Sequence, residues 1–390
     1  MKEPEVLSES SAAIVRATLP VVRAHAEEIT GEFYGSLFAA HPALLNLFNR
    51  GNQASRKQRA ALASAVVAYA EHLVGEGVDY APIEDRIVHK HVSLGIGAQL
   101  YPVVGRFLLA AVGKVLGDAV TAEVAAAWDE VYWLLACTLI AAEARRYAEL
   151  GVGTDVWRSY RVVDRVEEAE DVTSFAFAPV DGGPLPDFAP GQYVSVLVDL
   201  PDGGTQPRQY TLSRGPGRDT LRITVRRVRA IDGAPDGVVS TLLHDDLAPG
   251  DVVRLGPPSG ENTLRGTGPL VLISAGIGIT PTAAIVDHLS RTDPDRPVVV
   301  AHVERKPDRH ALRGEIEGSA LTNLETLTWY GRESFDAAGI PFPDGASAYL
   351  CGPLEFMRDV RAALLSRGVD PAAIHYEVFG PGMLDSRVRA

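Results

Sequence analysis

Three sets of residues in this 390-residue chain have the types and spacing to do chemistry. The first is Arg208-Gln209-Tyr210-Thr211, with Pro190-Gly191-Gln192-Tyr193 one strand earlier. A cation, an aromatic ring and a hydroxyl this close make a poor core strand but can hold a flat, anionic cofactor. The guanidinium can fork onto phosphate oxygens, the ring can lie against a planar face, and the hydroxyl can bond a ring nitrogen. The alternative is an ordinary barrel strand with an exposed arginine. The second set centres on His91. If 83–94 is a helix, Ile83, Ile87, His91 and Leu94 share one face, so the imidazole points inward, while His89 turns toward Asp85 and Arg86. Tyr101 and Glu143, on later helices, could accept or relay a hydrogen bond from the far imidazole nitrogen, as the partners of a metal-bound histidine do. Tyr34, among Phe33, Leu37 and Phe38, and Gln58 on one face with Leu62 and Val66, would aim donors at a diatomic ligand on iron. The alternative is a helical core with a few buried polar tips. The third set is Gly276-Ile277-Gly278-Ile279-Thr280-Pro281. Glycines there let backbone approach a phosphate, and Pro281 suits the first turn of a helix, although the spacing is not the GxGxxG fingerprint.

These sets fall on three kinds of element. Residues 1–147 read as helix after helix, with Ala, Leu and Val at helical spacing and no strand alternation. Residues 148–157 read as a linker. Alternating strand patterns then recur over 158–263, at 160–163, 173–177, 193–198 and 221–225, separated by Pro/Gly turns as in a small antiparallel β-barrel. Over 264–390, apolar strands at 270–274, 298–301 and 348–351 alternate with helices, which argues for a parallel α/β sheet. The expected fold class is therefore multidomain, all-α followed by β-barrel and α/β.

Bulk composition excludes several functions. Net charge is −13, from 37 basic and 50 acidic residues, and no basic run is long enough to track phosphates. That argues against nucleic acid and anionic membrane surfaces as partners. The N-terminus lacks a signal-peptide pattern, and the longest apolar run, 131–142, is too short to cross a bilayer. The only cysteines, Cys137 and Cys351, lie in different regions. That argues against a disulfide framework and for a reducing, cytoplasmic setting.

The barrel tetrapeptide resembles the Arg-x-Tyr-Ser/Thr signature of the ferredoxin-reductase superfamily. The helical region resembles the globin domain of bacterial flavohaemoglobins. Phe33-Tyr34, Pro42, Leu47-Phe48-Asn49, Asn52-Gln53, Gln58-Arg59, Leu62, Lys90-His91, Ser93, Tyr101, Trp128 and Glu143 follow in family order. The resemblance covers nearly the whole chain. It implies haem b held by His91 on the proximal side, with Phe48 packed on the haem, and Gln58 and Leu62 lining the pocket. Tyr34 would be the distal donor. Tyr101 and Glu143 would make the His91 imidazole more anionic. It implies FAD held by Tyr193, Arg208, Gln209, Tyr210 and Thr211, with Val239 and Ser240 of the 237–240 segment meeting the pyrophosphate at a helix N-terminus; a plain surface turn is the alternative for that segment. The closing segment Val378-Phe379-Gly380-Pro381 would place Phe379 over the flavin. NAD(P)H would meet Gly276, Ile277, Gly278, Ile279, Thr280, Pro281, Cys351, Gly352 and Pro353. Lys90 and Glu377 would be a redox-tuning pair.

The activity so implied is a monomeric NAD(P)H-dependent nitric oxide dioxygenase acting on O2 and nitric oxide. The alternatives are a haem-based O2 or nitric oxide sensor, or a reductase of peroxides or lipid hydroperoxides. Glu304-Arg305, at the end of a strand where an adenosine ribose would lie, predicts NADH over NADPH if the carboxylate prevails.

Overall fold

A computed structural model describes residues 6–47, 57–77, 79–230 and 235–379. By its contacts the chain divides into two compact units, Met1–Val156 with Asp199–Pro207, and Trp157–Val198 with Arg208–Ala390. The barrel and α/β regions thus share one unit.

The first unit is helical: α1 (Glu9–Ala24), α2 (Ala26–Ala40), α3 (Lys57–Leu73), α4 (Ala81–Leu94), α5 (Tyr101–Leu116) and α6 (Ala122–Leu150). Helix ends follow local chemistry. The Ser8 hydroxyl caps α1, and Thr121 caps α6. Pro82 occupies the first turn of α4, where its missing N–H costs nothing. Gly95 ends α4 at φ 73°, and the Ile96 N–H bonds back to the His91 carbonyl. A side chain at Gly95 would also collide with the Thr154 carbonyl, so this position tolerates glycine alone. The core comes from Val15, Leu19, Phe33, Leu37, Val92, Leu108, Trp128, Val131 and Leu139, all buried. Two helical stretches, Ala98–Ala119 and Ala122–Leu150, have the length and apolarity of a membrane span. The expectation of no span rests on uninterrupted apolar runs, whereas a helix with scattered polar positions passes the same test; here these stretches contribute Leu108, Trp128, Val131 and Leu139 to the core.

In the second unit, β1 (Arg158–Ala169), β2 (Val172–Pro179), β3 (Tyr193–Asp199), β4 (Thr205–Thr211), β5 (Leu221–Arg226) and β6 (Val252–Leu255) form one sheet in the order β4-β3-β6-β1-β2-β5. Leu212, just past β4, bridges Ile223 of β5, which brings the two edge strands together. Alternate residues Phe175, Phe177, Val194, Val196, Leu221, Ile223 and Val225 fill the barrel. Helix α7 (Val238–Asp246) closes it with Val239 and Leu243.

The remaining chain is a five-stranded sheet in the order β11-β10-β7-β8-β9, whose paired strands are parallel: β7 (Leu270–Ala275), β8 (Val298–Glu304), β9 (Leu324–Tyr330), β10 (Ser347–Cys351) and β11 (Ile374–Glu377). Helices α8 (Ile279–Thr292), α9 (Arg313–Glu317) and α10 (Leu354–Ser366) connect the strands. β7 and β8 are buried throughout, as strands covered on both faces are. The order reverses between β7 and β10, which sets the switch point of a doubly wound sheet there. Barrel and sheet are tied together by the buried guanidinium of Arg222, which bonds Glu315 and the Ser213 carbonyl, and by Val172, which joins the core under α8.

Candidate functional sites

On α4 the fully buried side chains are Val88, Val92 and Ser93, whereas Ile83, Ile87, His91 and Leu94 are half-buried. His91 thus shares its face with the apolar Ile83, Ile87 and Leu94, as the spacing predicts.

The imidazole is held from behind. His91 Nδ1 lies 2.7 Å from Glu143 Oε1 and 3.3 Å from the Tyr101 hydroxyl, which itself donates to Glu143 Oε1 at 2.6 Å. Glu143 is 2% exposed. A buried carboxylate accepting from two groups assigns the Nδ1–H tautomer to His91. Its Nε2 has no hydrogen-bond partner among the described residues. Tyr101 is fixed in turn: its carbonyl accepts the Tyr132 hydroxyl at 2.6 Å. Burial, then the Glu143 charge and its hydrogen bond, push the Tyr101 phenol far up, so it remains a donor. These three residues come from α4, α5 and α6, and the fold brings them together. An imidazole with an open Nε2, a fixed ring and apolar flanks is the donor set for iron in a flat apolar macrocycle.

The other expected haem-side residues are placed less completely. Tyr34 is buried on α2, its ring 4.8 Å from Phe33 and stacked at 5.5 Å on Phe38. Leu62 is half-buried and lines an apolar cavity of about 40 Å³ with Ile29, Val66, Leu108, Trp128 and Val131. Gln58 lies on α3, but its side chain is outside the described residues, as are Phe48, Asn49, Asn52 and Gln53 entirely. Burial, then the Arg86 guanidinium, lowers the Lys90 ammonium to about 8.

On β4, Arg208 and Tyr210 are half-buried, Gln209 is exposed and Thr211 is buried. Burial pulls the Arg208 guanidinium down to about 10, a penalty that an anion beside it would remove. Tyr210 packs on the barrel core, and the Tyr193 ring lies over Gly260. The Ser240 hydroxyl is already committed: it donates to the Gly237 carbonyl at 2.9 Å and accepts the Val228 N–H at 3.1 Å. The intrahelical backbone bonds of α7 begin with Thr241 N–H to Gly237 O, so the N–H groups of Val238, Val239 and Ser240 have no acceptor within the helix. The 237–240 segment therefore offers backbone donors and a helix N-terminus to a phosphate, not the serine hydroxyl. These residues fit the pyrophosphate and ring of a flavin dinucleotide.

The turn after β7 meets the turn after β10 at the switch point. A side chain on Gly278 would collide with the Cys351 carbonyl, so this glycine serves the packing of two turns as well as any approach to phosphate. Ile279, Thr280 and Pro281 are buried in the first turn of α8, and the Thr280 hydroxyl bonds the Ile277 carbonyl at 3.1 Å. Ile277 packs partly buried against the core. Gly352 and Pro353 lead into α10, and Cys351 is buried, its thiol pushed up by burial and then by the Glu377 charge. Glu377 ends β11 in register with Cys351; Val378 is buried, and Phe379 is 45% exposed. Gly380 and Pro381 lie outside the described residues.

Glu304 departs from expectation. The carboxylate is 3% exposed; one oxygen accepts from Arg226 Nη2 at 2.7 Å and the other from the Arg305 backbone N–H at 2.8 Å. It is committed to an ion pair with the barrel and is not available to a ribose. Sequence reasoning missed Arg226. The signal was the alternation in β5, which puts Arg222, Thr224 and Arg226 on one face, a face that needs polar company rather than solvent.

Similarity to known proteins extends over both units. The globin family model matches residues 31–139. A flavohemoprotein of Bordetella parapertussis is 41% identical over 404 residues, covering 97% of this chain and 99% of that protein. One from Bacillus subtilis is 36% identical over 400 residues, covering 96% and 98%. Among solved structures, the flavohemoglobin of Malassezia yamatoensis, determined with bound FAD and heme, matches with a TM-score of 0.87 and 32% identity over 96% of this chain and 100% of its own. The flavohem-like FAD/NAD-binding domain of nitric oxide dioxygenase from Vibrio cholerae matches with a TM-score of 0.54 and 35% identity over 57% of this chain and 99% of its own.

Proposed function

This chain belongs to the flavohemoprotein family, and on that premise we propose that it is a nitric oxide dioxygenase, converting nitric oxide and O2 to nitrate with electrons from NADH or NADPH. The observation that carries the reading is the cluster behind His91. A carboxylate accepting the Nδ1 proton makes the imidazole a stronger donor at Nε2, which favours oxygen activation over reversible carriage. Tyr101 donates to the same carboxylate oxygen and keeps its own proton. The name of the Vibrio cholerae relative supports the same reaction.

Bound haem b would supply an oxygen-binding iron, and bound FAD would turn a hydride into single electrons. The chain's own residues then have separate tasks. His91 Nε2 would hold the iron, and Tyr34 would donate to its ligand. Arg208 and the backbone N–H groups at 238–240 would hold the flavin's pyrophosphate, with Tyr210 and Tyr193 against its rings. The turns at 276–281 and 351–353 would receive the nicotinamide nucleotide at the switch point.

The test uses the full chain reconstituted with haemin and FAD. Nitric oxide loss is followed with an electrode, with NADH, with and without O2, and nitrate is quantified. The expected result is O2- and NADH-dependent loss with nitrate formed in matching amount. Aerobic loss no faster than in the absence of protein, or loss without nitrate, would overturn the assignment.

A further inference from the structure

In an open parallel sheet the strand beside the phosphate-binding turn ends where the adenosine ribose of a dinucleotide lies. A carboxylate at that end selects the 2′-hydroxyl of NAD, and a nearby arginine accommodates the 2′-phosphate of NADP. Here that strand is β8 and its last residue is Glu304. Both carboxylate oxygens are already bonded, to Arg226 and to the Arg305 backbone, and the side chain is buried. Turning it outward would leave Arg226 without its counter-charge.

The next two side chains are cations. Arg305 and Lys306 are exposed, and neither side chain is hydrogen-bonded or ion-paired to a described residue. The other arginines nearby are engaged: Arg309 with Glu170, Arg313 with Glu317, and Arg332 with Asp359. The acidic side chains near this end are Asp308, which is exposed, Glu333, which folds over Gly331, and Glu170, which pairs with Arg309 and lies within electrostatic reach of Lys306. The end of β8 therefore presents two positive charges with no hydrogen bond or ion pair to a described residue, and a carboxylate that cannot reach out.

We propose that Arg305 and Lys306 form a 2′-phosphate site, so that this chain accepts NADPH at least as well as NADH. The inference rests on the reductase half of the functional reading and is independent of the oxygen chemistry. It reverses the NADH preference that Glu304 predicts from sequence.

Two measurements on the full chain test it. In the first, 2′,5′-ADP and 5′-AMP, which differ by the 2′-phosphate alone, are titrated calorimetrically into the FAD-loaded protein. The 2′,5′-ADP should bind about 10- to 100-fold more tightly, the scale of one or two charge-assisted hydrogen bonds, and the advantage should shrink with added salt. In the Arg305→Ala/Lys306→Ala variant the affinity ratio should fall to near one. In the second, anaerobic stopped-flow flavin reduction should give a kcat/KM for NADPH equal to or above that for NADH, and the double variant should lower that ratio by a similar factor. Equal affinity for the two nucleotides, or a ratio that survives the double substitution, would overturn the site. If flavin reduction by NADH is normal while NADPH is far slower, the site alone is wrong. If neither nucleotide binds and neither dinucleotide reduces the flavin, the site falls together with the reductase reading.

Discussion

Glu143 and Glu304 are both buried carboxylates at functional ends of their units, yet their charges go to opposite uses. Glu143 meets two neutral donors, the Tyr101 phenol and the His91 imidazole, and no guanidinium or ammonium among the described residues. Its charge is therefore expressed on the imidazole, and through it on whatever Nε2 holds. Glu304 meets the Arg226 guanidinium, and its charge is cancelled where it stands. A buried charge with only neutral partners is expensive and tends to be kept where it alters a neighbour's electronics. A buried charge with an ionic partner fixes geometry, here that of barrel against sheet.

The largest effect should come from breaking the neutral-partner cluster. Glu143→Ala leaves the His91 Nδ1–H and the Tyr101 hydroxyl buried without an acceptor, at roughly 1–3 kcal/mol each. Urea unfolding of the helical unit, followed by tryptophan fluorescence, should show a loss of roughly 2–5 kcal/mol. A loss below about 1 kcal/mol would mean that solvent or a rearranged side chain satisfies both donors, and the cluster would lose its special standing.

Next in size is the ion pair. Arg226→Met should destabilise the second unit by about 2–4 kcal/mol, somewhat less than a fully buried pair because Arg226 keeps partial solvent access. The Arg226→Met/Glu304→Leu double variant should recover much of that, since apolar residues of similar volume replace buried ion pairs at little cost. A double-mutant cycle with no coupling would show that the pair is incidental and would weaken the contrast with Glu143.

A third measurement concerns acid stability of the same sheet. His302, beside Ser274 and stacked at 4.4 Å on His310, has its pKa lowered to about 3 by burial, then by His310 and Arg226. Its unfolded-state value is near 6.5, so the folded state binds fewer protons below that pH. The stability it confers is complete above about 6.5 and is lost as pH falls toward about 3. His302→Leu should make the acid limb of the unfolding curve shallower by up to one proton, about 1.4 kcal/mol per pH unit. An unchanged slope would mean that His302 becomes solvated before it titrates.

The smallest change separates the two carboxylates by chemistry. Glu143→Gln keeps an acceptor but removes the charge, so stability should fall by only about 1 kcal/mol, while nitric oxide consumption should fall on the order of 10-fold. Glu304→Gln should alter stability more than rate. The same response at both positions would erase the distinction.

Most of this architecture was legible in the chain order. Helical spacing, then strand alternation, then strand–glycine turn–helix reflect local periodicities of 3.6 and 2, which follow from backbone geometry and need no partner. The apolar sequence around His91, and Tyr101 and Glu143 on later helices, named the cluster in advance. What could not be read was that Val88 and Val92 of α4 are buried more deeply than Ile87 and Leu94, because that depends on which helices pack beside it. The role of Ser240 was equally hidden: its hydroxyl went to Val228 and Gly237 once the loop folded back, leaving the backbone as donor.

Sequence by itself determined the residue types, their order and the period of each element, and so the kinds of cofactor the chain is built to hold. Tertiary structure decided where each charge is spent. Glu143, on a helix, and Glu304, at a strand end, each follow an apolar run, and nothing beside them in sequence names the partner each will meet. Their partners lie 42 and 78 positions away, on other elements. A carboxylate's effect depends on the groups within a few ångströms, since Coulomb energy falls with distance and rises in a low dielectric. Only the packing of barrel on sheet could bring Arg226 to Glu304 and leave Arg305 and Lys306 exposed at the end of β8.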